Sequence, residues 1–439
     1  MAFVLSRCSY ELDGLGLTRF AHVPFLVLRD MSYPEEANRF LRERALGIWH
    51  PNRREATAYG EVVALSANTV RSYANDLKSF ITFTERRRLD WRRLSHADLL
   101  GSYDKAMSSG QLRSRGSTPL AAATINRRIA IAIEFMLWGG DRALRGPFVV
   151  LSSRNGRSRS TGGRGRRTTS GGLIQGRIGI HRQHPSRLRL PSKQELDLWL
   201  AEVLARAGPT LHLAIRHIIN TGCRLMETAL VREWQVPDPD TVDLHRPARM
   251  EIFYGAKGGR EVGDPDLKGA PRSLRFKRQH LVDLDRYRRL RRKKTLAVFK
   301  ERNPGEPLPP QLFLSERTGK PITSQAIYRA WHNTATAPFP GWSPHLGRHT
   351  FACHTLLELL EEDAQRIKQF VQNQPRAYVV SRVEDLTRVY LRPILGHVDE
   401  KTTELYLEWI ADHLFVANHR ASWSNYLSEL EDSTSEYHR

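Results

Sequence analysis

Ser343-Pro344-His345-Leu346-Gly347-Arg348-His349-Thr350 reads as the opening turns of a helix. Ser343 can cap the unpaired N–H groups, and Pro344 suits the first helical position, where its missing N–H costs nothing. His345 and Arg348 then share a face. A guanidinium fork beside an imidazole at a helix start offers a phosphate paired donors, positive charge and a titratable group. Alone, the stretch more commonly describes a second cap or a core histidine. Upstream, Thr221-Gly222-Cys223-Arg224-Leu225-Met226-Glu227 has a glycine that breaks one helix where another starts. Arg224 and Glu227, three residues apart, fall on one face, so Glu227 can orient the guanidinium or simply form a surface ion pair with it. Downstream, Leu395-Gly396-His397 reads as a helix end with a glycine turn. Thr402-Thr403-Glu404-Leu405-Tyr406 follows, with Tyr406 nine residues after His397. Among Leu405, Leu407 and Trp409, Tyr406 alone would pass for a core aromatic.

The rest of the chain narrows the class. At 439 residues with 40% hydrophobic composition, it is long enough for two or three domains, each with its own core. The 68 Lys+Arg against 47 Asp+Glu give a net charge of +21, which points to a polyanionic partner, DNA or RNA first. The charge is spread over folded-looking sequence rather than gathered beside one amphipathic anchor, so a basic membrane-surface protein ranks well below. Three scattered cysteines, Cys8, Cys223 and Cys353, supply neither a disulfide framework nor a closely spaced zinc site and fit a reducing, cytoplasmic setting. No leader-like start and no run of about eighteen apolar residues is found, so neither secretion nor a membrane span is expected. No Asp/Glu/His cluster argues for a metal.

Val70, Tyr73, Ala74, Leu77, Phe80 and Ile81 recur at helical spacing from Asn68, the expected N-cap, to about Arg88. Thr124 to Trp138 repeats the pattern through Ile125, Ile129, Ala132 and Met136, leaving Arg127 and Arg128 off that face. Tyr33 to Leu46 and Ser95 to Met107 also read as helices. Residues 31–150 are therefore expected to form a small all-helical DNA-binding domain behind an N-terminal extension, 1–30. Arg71, Lys78, Arg127 and Arg128 are its candidate DNA contacts. Between Ser152 and Arg187 the chain holds nine arginines and no acidic residue among Gly, Ser and Thr. Residues 151–188 thus read as a basic linker, whose Arg164, Arg166 and Arg167 are expected along phosphates. Ser192 then caps a helix through Leu204, and another runs from about Thr210 to Asn220. Arg249 to Tyr254 and Ser273 to Lys277 read as hairpin strands joined by Gly255 to Pro271. Arg286 to Lys294, seven basic residues in nine, would be cationic almost all round as a helix and adds to the phosphate-binding case.

TGCRLME, HLGRHT, LGH and TTELYLEW, in this order on one chain, resemble the tyrosine recombinase family, also called phage integrases. TVRSYANDLKSFITF and ATINRRIAIAIEFMLW resemble the family's core-binding region. The resemblance implies a mainly α fold with a small β-sheet: a helical, SAM-like core-binding domain and an α+β catalytic domain, here 189–412, forming a C-shaped clamp on DNA. The tail, 413–439, carries Leu414, Phe415, Trp423, Tyr426 and Leu427 and would dock on a neighbouring subunit or pack on its own domain. The family places a lysine in a β-hairpin turn. Lys257, directly after the strand-like Met250 to Tyr254, is preferred over Lys268. The interval from Arg348 to His397 is longer than the family's, with Gln365 to Glu384 expected as an added surface element.

By the same resemblance Tyr406 is the nucleophile. Its phenol, with an ordinary pKa near 10, must lose a proton as it attacks phosphorus, and His345 is the candidate base, with water or a second basic group as alternatives. Arg224, Arg348 and His397 would stabilise charge on the non-bridging oxygens, Glu227 would orient Arg224, and Lys257 would protonate the departing 5′ oxygen. A 3′-phosphotyrosine retains the phosphodiester energy, so no cofactor or metal is expected. The implied function is site-specific recombination, with double-stranded DNA as partner, a homo-tetramer on two DNA sites and an accessory DNA-bending protein as a further candidate. The rival readings are a strand-swivelling type IB topoisomerase of the same chemistry and a non-catalytic DNA-binding protein.

Overall fold

The computed structural model describes residues 2–5, 12, 14–15, 17, 20–51, 65–112, 118–152, 176–182, 187–243, 246–254, 272–368, 376–396 and 400–411. The chain falls into two units, one built from residues up to Pro185 and the other from Ser186 onward.

In the first unit, strand β1 (Phe3–Leu5) pairs antiparallel with β2 (Phe25–Val27). The edge of β2 is satisfied by a buried Asn38: the Leu26 N–H donates to Asn38 Oδ1 at 2.6 Å, and Asn38 Nδ2 donates to the Leu26 carbonyl at 2.9 Å. Helix α1 (Glu35–Ala45) carries Asn38. Helix α2 (Ala67–Arg87) is capped by Ser66, whose hydroxyl accepts the Thr69 N–H, two residues before the expected Asn68, and closes at a left-handed Arg88 (φ 52°). Helix α3 is continuous through His96–Asp98, a wider-wound Leu99–Asp104 and Lys105–Ser108, opened by a Ser95–Asp98 capping box. Helix α4 (Ala122–Asp141) completes the unit. Its core is aromatic: Phe40, Phe80, Tyr103, Phe135 and Trp138 are fully buried, with Phe40 and Phe135 edge to face at 5.5 Å.

Two stretches do more than the sequence suggested. Val23, Leu26 and Val27, inside the expected N-terminal extension, are core residues, because β2 lies against the helices. Residues 176–182, inside the expected linker, are packed. Arg177 is buried with its guanidinium donating to the Ile178 and Gly179 carbonyls, and His181 Nε2 lies 2.7 Å from Asp104.

The second unit opens with helix α5 (Lys193–Thr221), begun by a Ser192–Glu195 capping box. The two helices expected here are both present within α5, following one another across a kink at Gly208 (φ 80°, ψ 171°), where Pro209 opens the second. Helix α6 (Leu225–Leu230) follows a left-handed Gly222. Strands β3 (Ala248–Ile252) and β4 (Arg272–Phe276) pair antiparallel with Met250 opposite Leu274. Ala248, Met250 and Ile252 face inward and alternate with exposed Arg249 and Glu251. Helix α7 runs through Arg278–Arg286, Tyr287–Arg292 and Lys293–Arg302. It is not cationic all round. Tyr287 is buried, Arg292 donates to the Gln311 and Pro309 carbonyls, and Arg288 donates to the Val236 carbonyl and pairs with Asp285. Those arginines tie a helix to the loops beside it rather than displaying charge.

Helices α8 (Ser324–His332) and α9 (Pro344–Lys368) pack against α5. Helix α10 is continuous through Arg376–Leu386, Thr387–Leu391 and Arg392–Leu395, and α11 spans Glu400–Ala411. One core gathers around Trp199, Trp331 and Trp342. Another joins α9, α10 and α11 through Leu356, Val383, Leu391, Tyr406 and Ile410. Val383 lies within the stretch expected to be an added surface element, so its buried side chain makes the helical part of that stretch a core contributor. Among the described residues no helix is long and apolar enough to cross a membrane.

Candidate active site

Gly222 sets the first contact. Its left-handed conformation (φ 66°) turns the chain from α5 into α6, and a Cβ there would lie 2.6 Å from Phe351 Cδ1 and 2.7 Å from Leu395 Cδ2. The turn presents the Gly222 carbonyl to Arg348, which donates to it through Nη1 at 2.6 Å and to the Leu395 carbonyl through Nη2. Arg224, the N-cap of α6, donates through Nη2 to the Gly396 carbonyl at 2.9 Å. Two guanidinium groups from distant segments thus converge on the carbonyl end of α10, where the partial negative charge of a helix C-terminus favours cations.

Glu227 organises them. Its fully buried carboxylate accepts from the Arg224 backbone N–H at 2.7 Å and from Arg224 Nη1 at 2.8 Å. Arg272 Nε donates to the same carboxylate at 3.2 Å, and its Nη2 makes a second, shorter contact. Burial alone would raise the Glu227 pKa, but Arg272, its hydrogen bonds and Arg224 outweigh it and hold the carboxyl below its ordinary value. Arg272 was not singled out in the sequence. Its signal was an arginine at the start of a strand whose alternate residues face the core. Arg224 and Arg272 pair with the Glu227 carboxylate and Arg348 lies within the electrostatic reach of all three, so among the described residues three guanidinium groups face one carboxylate. Arg348, 7% exposed, is pushed down to about 10 by burial and by repulsion from Arg224 and Arg272.

On the same helix, α9, a chain of hydrogen bonds leads to the phenol. His349 Nδ1 lies 3.0 Å from Tyr406 Oη, and His349 Nε2 lies 3.1 Å from His345 Nε2. His345, the expected base, is therefore one residue removed from the phenol, and His349 is the imidazole that meets it. The signal was present in the i, i+4 spacing of the two histidines, which stacks them on one face. Both imidazoles are held below their ordinary pKa. For His349, burial, then His345 and Arg348, lower it to about 4. For His345 the causes are burial, then Arg348 and Arg224. Tyr406 is only 1% exposed, so α11 holds its nucleophile candidate inside the core.

The other expected contacts fare differently. Arg127 pairs with Asp76 at 2.6 and 3.0 Å, and Arg128 lies 3.7 Å from the same carboxylate. Asp76 thus offsets part of the charge assigned to α4. Arg71 is exposed and Lys78 half-buried on α2. Lys257, its rival Lys268, His397, Arg164, Arg166, Arg167 and the tail 413–439 lie outside the described residues. Among the described residues no group of three or more His, Cys, Asp or Glu side chains is placed to hold a metal ion.

Residues 61–138 match the model of the phage integrase N-terminal SAM-like domain. The match agrees with the tyrosine recombinase family that the motifs resemble. No curated protein matches the chain. Among solved structures, the chain is similar to the XerH site-specific recombinase bound to difH substrate, at 16% identity and a TM-score of 0.45 over 85% of this chain and 91% of that one. It is also similar to a lambda integrase dimer bound to a COC′ core site, at 12% identity and a TM-score of 0.42 over 81% and 92%. For the Tn1549 transposon integrase in complex with circular intermediate DNA, the values are 14% and 0.41 over 80% and 92%.

Proposed function

We propose that this chain is a site-specific DNA recombinase, the integrase of a mobile element, which cuts and rejoins DNA through a 3′-phosphotyrosine bond at Tyr406. The observation that carries the reading is the excess positive charge of Arg224, Arg272 and Arg348 beside a phenol hydrogen-bonded to a histidine of the Arg348 helix. A scissile phosphate would supply the missing negative charge, and Arg224 and Arg348 would stabilise the additional charge that develops on its non-bridging oxygens. Glu227 would keep Arg224 in place. His397 would add a hydrogen bond, and Lys257 would protonate the departing 5′ oxygen. The net charge of +21 suits a DNA partner, and a recombinase acting on paired sites would assemble as a tetramer.

The reading is tested with a supercoiled plasmid carrying two copies of the element's ends, incubated in EDTA. Strand exchange between the ends is expected. Relaxation without exchange would support a strand-swivelling topoisomerase instead, and tight binding with no breakage would support a non-catalytic DNA-binding protein.

A further inference from the structure

We infer that His349 is the immediate proton acceptor of Tyr406 and passes charge to His345, so that the two imidazoles act as one relay loaded by the arriving phosphate. The inference rests on the recombinase reading. Its geometry is the chain Tyr406 Oη, His349 Nδ1, His349 Nε2, His345 Nε2, with links of 3.0 and 3.1 Å. Two neutral imidazoles can satisfy it in the working direction. Tyr406 donates to a bare His349 Nδ1, His349 carries its proton on Nε2 and donates to a bare His345 Nε2, and His345 carries its proton on Nδ1.

The protons then balance through the cleavage step. As Tyr406 Oη bonds to phosphorus, its proton goes to His349 Nδ1 and the His349 Nε2 proton goes to His345 Nε2, leaving His345 as the imidazolium. The bond from phosphorus to the 5′ oxygen breaks, and that oxygen takes a proton from the Lys257 ammonium or from water. Religation runs the sequence in reverse.

The surroundings explain why the relay rests until DNA arrives. The titratable and charged groups about it are Tyr406 from α11, His345, Arg348 and Cys353 on α9 itself, and Arg224, Glu227 and Arg272 behind Arg348. Without an anion, burial and the arginines keep both imidazoles neutral and weakly basic, so the phenol keeps its proton. A phosphate between the guanidinium groups offsets that field and raises the proton affinity of both rings. Basicity is thereby tied to occupancy, which protects the nucleophile from idle ionisation.

Two measurements on the full-length protein decide the matter. ¹⁵N spectra of the imidazoles, assigned by comparison with His349→Asn and His345→Asn, are expected to show His349 with Nδ1 bare and Nε2 protonated. A protonated Nδ1 would reverse the chain and overturn the relay. Single-turnover adduct formation on a nicked substrate gives the second test. His349→Asn keeps an acceptor near the phenol but cannot take its proton. It is expected to bind DNA as wild type does, to form adduct about 10²- to 10⁴-fold more slowly near pH 7, and to recover as pH rises toward the phenol's own range. A 5′-phosphorothiolate, whose leaving group needs no proton, should leave the defect in place. A wild-type rate in His349→Asn would overturn the relay while leaving the recombinase reading intact. Loss of rate with no recovery at high pH would mean a purely structural role and would overturn it too. No adduct from wild type would remove the recombinase reading and the relay with it.

Discussion

Glu227 decides how two guanidinium groups point. It is fully buried, and it accepts from both Arg224 and Arg272, so Glu227→Gln leaves two cations facing an uncharged amide. Breaking a buried pair by removing one partner costs about 3–5 kcal/mol. Glu227→Gln is expected to lower the unfolding free energy from urea titration by about 3 kcal/mol and to slow adduct formation more than it weakens DNA binding. A wild-type cleavage rate would contradict the orienting role. The pairing also has a pH sign. Because the Glu227 pKa is held below its ordinary value, its contribution to stability is present above about pH 4.5 and is lost as pH falls through the folded value. Arg224, Glu227, His345, Arg348 and Tyr406 were legible in the sequence because each sits in a short motif whose helical spacing can be read locally. Arg272 and His349 were not singled out. Arg272 acquires its role from a strand pairing, and His349 from a phenol 57 residues away.

At the scale of elements, helix α5 meets α7 through two buried imidazoles. His217 Nδ1 lies 3.0 Å from His280 Nε2, and the outer nitrogens, His217 Nε2 and His280 Nδ1, meet no hydrogen-bond partner among the described residues. Burial holds His217 down to about 3, and burial with His217 holds His280 well below its ordinary value. The unfolded chain therefore binds protons first as pH falls. Stability from this pair is complete above about pH 6.5 and declines below it by about 1.4 kcal/mol per pH unit for each histidine. Urea unfolding at pH 7.0 and 5.5 is expected to show this decline, and a His217→Leu/His280→Leu double variant should show a shallower one. Equal slopes would mean that the acid sensitivity lies elsewhere. The helices themselves were largely legible, since α2 and α4 follow the period of their apolar residues. Their ends were less so. Ser66 outcompetes Asn68 as a cap because it stands one turn before the first buried residue of α2, Val70. The kink at Gly208 falls in the interval between the two expected helices, from Leu204 to Thr210, so this break was legible.

At the scale of the whole molecule, a net charge of +21 supplies attraction to a polyanion and says nothing of chemistry. Under the proposed recombinase function, what would convert attraction into a reaction is the meeting of segments around residues 222–227, 345–349, 394–396 and 406, which sequence order alone could list but not bring together. Composition counts more displayed charge than the fold shows, although Arg286, Arg289, Arg291, Lys293 and Lys294 stay exposed. The basic run 286–294 spends Arg288 and Arg292 on internal carbonyls, and Arg127 and Arg128 share Asp76. The proposed chemistry turns on Tyr406 as the nucleophile. Its most direct test is incubation with a nicked suicide DNA substrate built on the element's own ends, in EDTA, resolved on a denaturing gel for wild type and Tyr406→Phe. A covalent protein–DNA adduct is expected with wild type and none with Tyr406→Phe. Equal adduct from both would assign the attack to another residue and contradict that expectation.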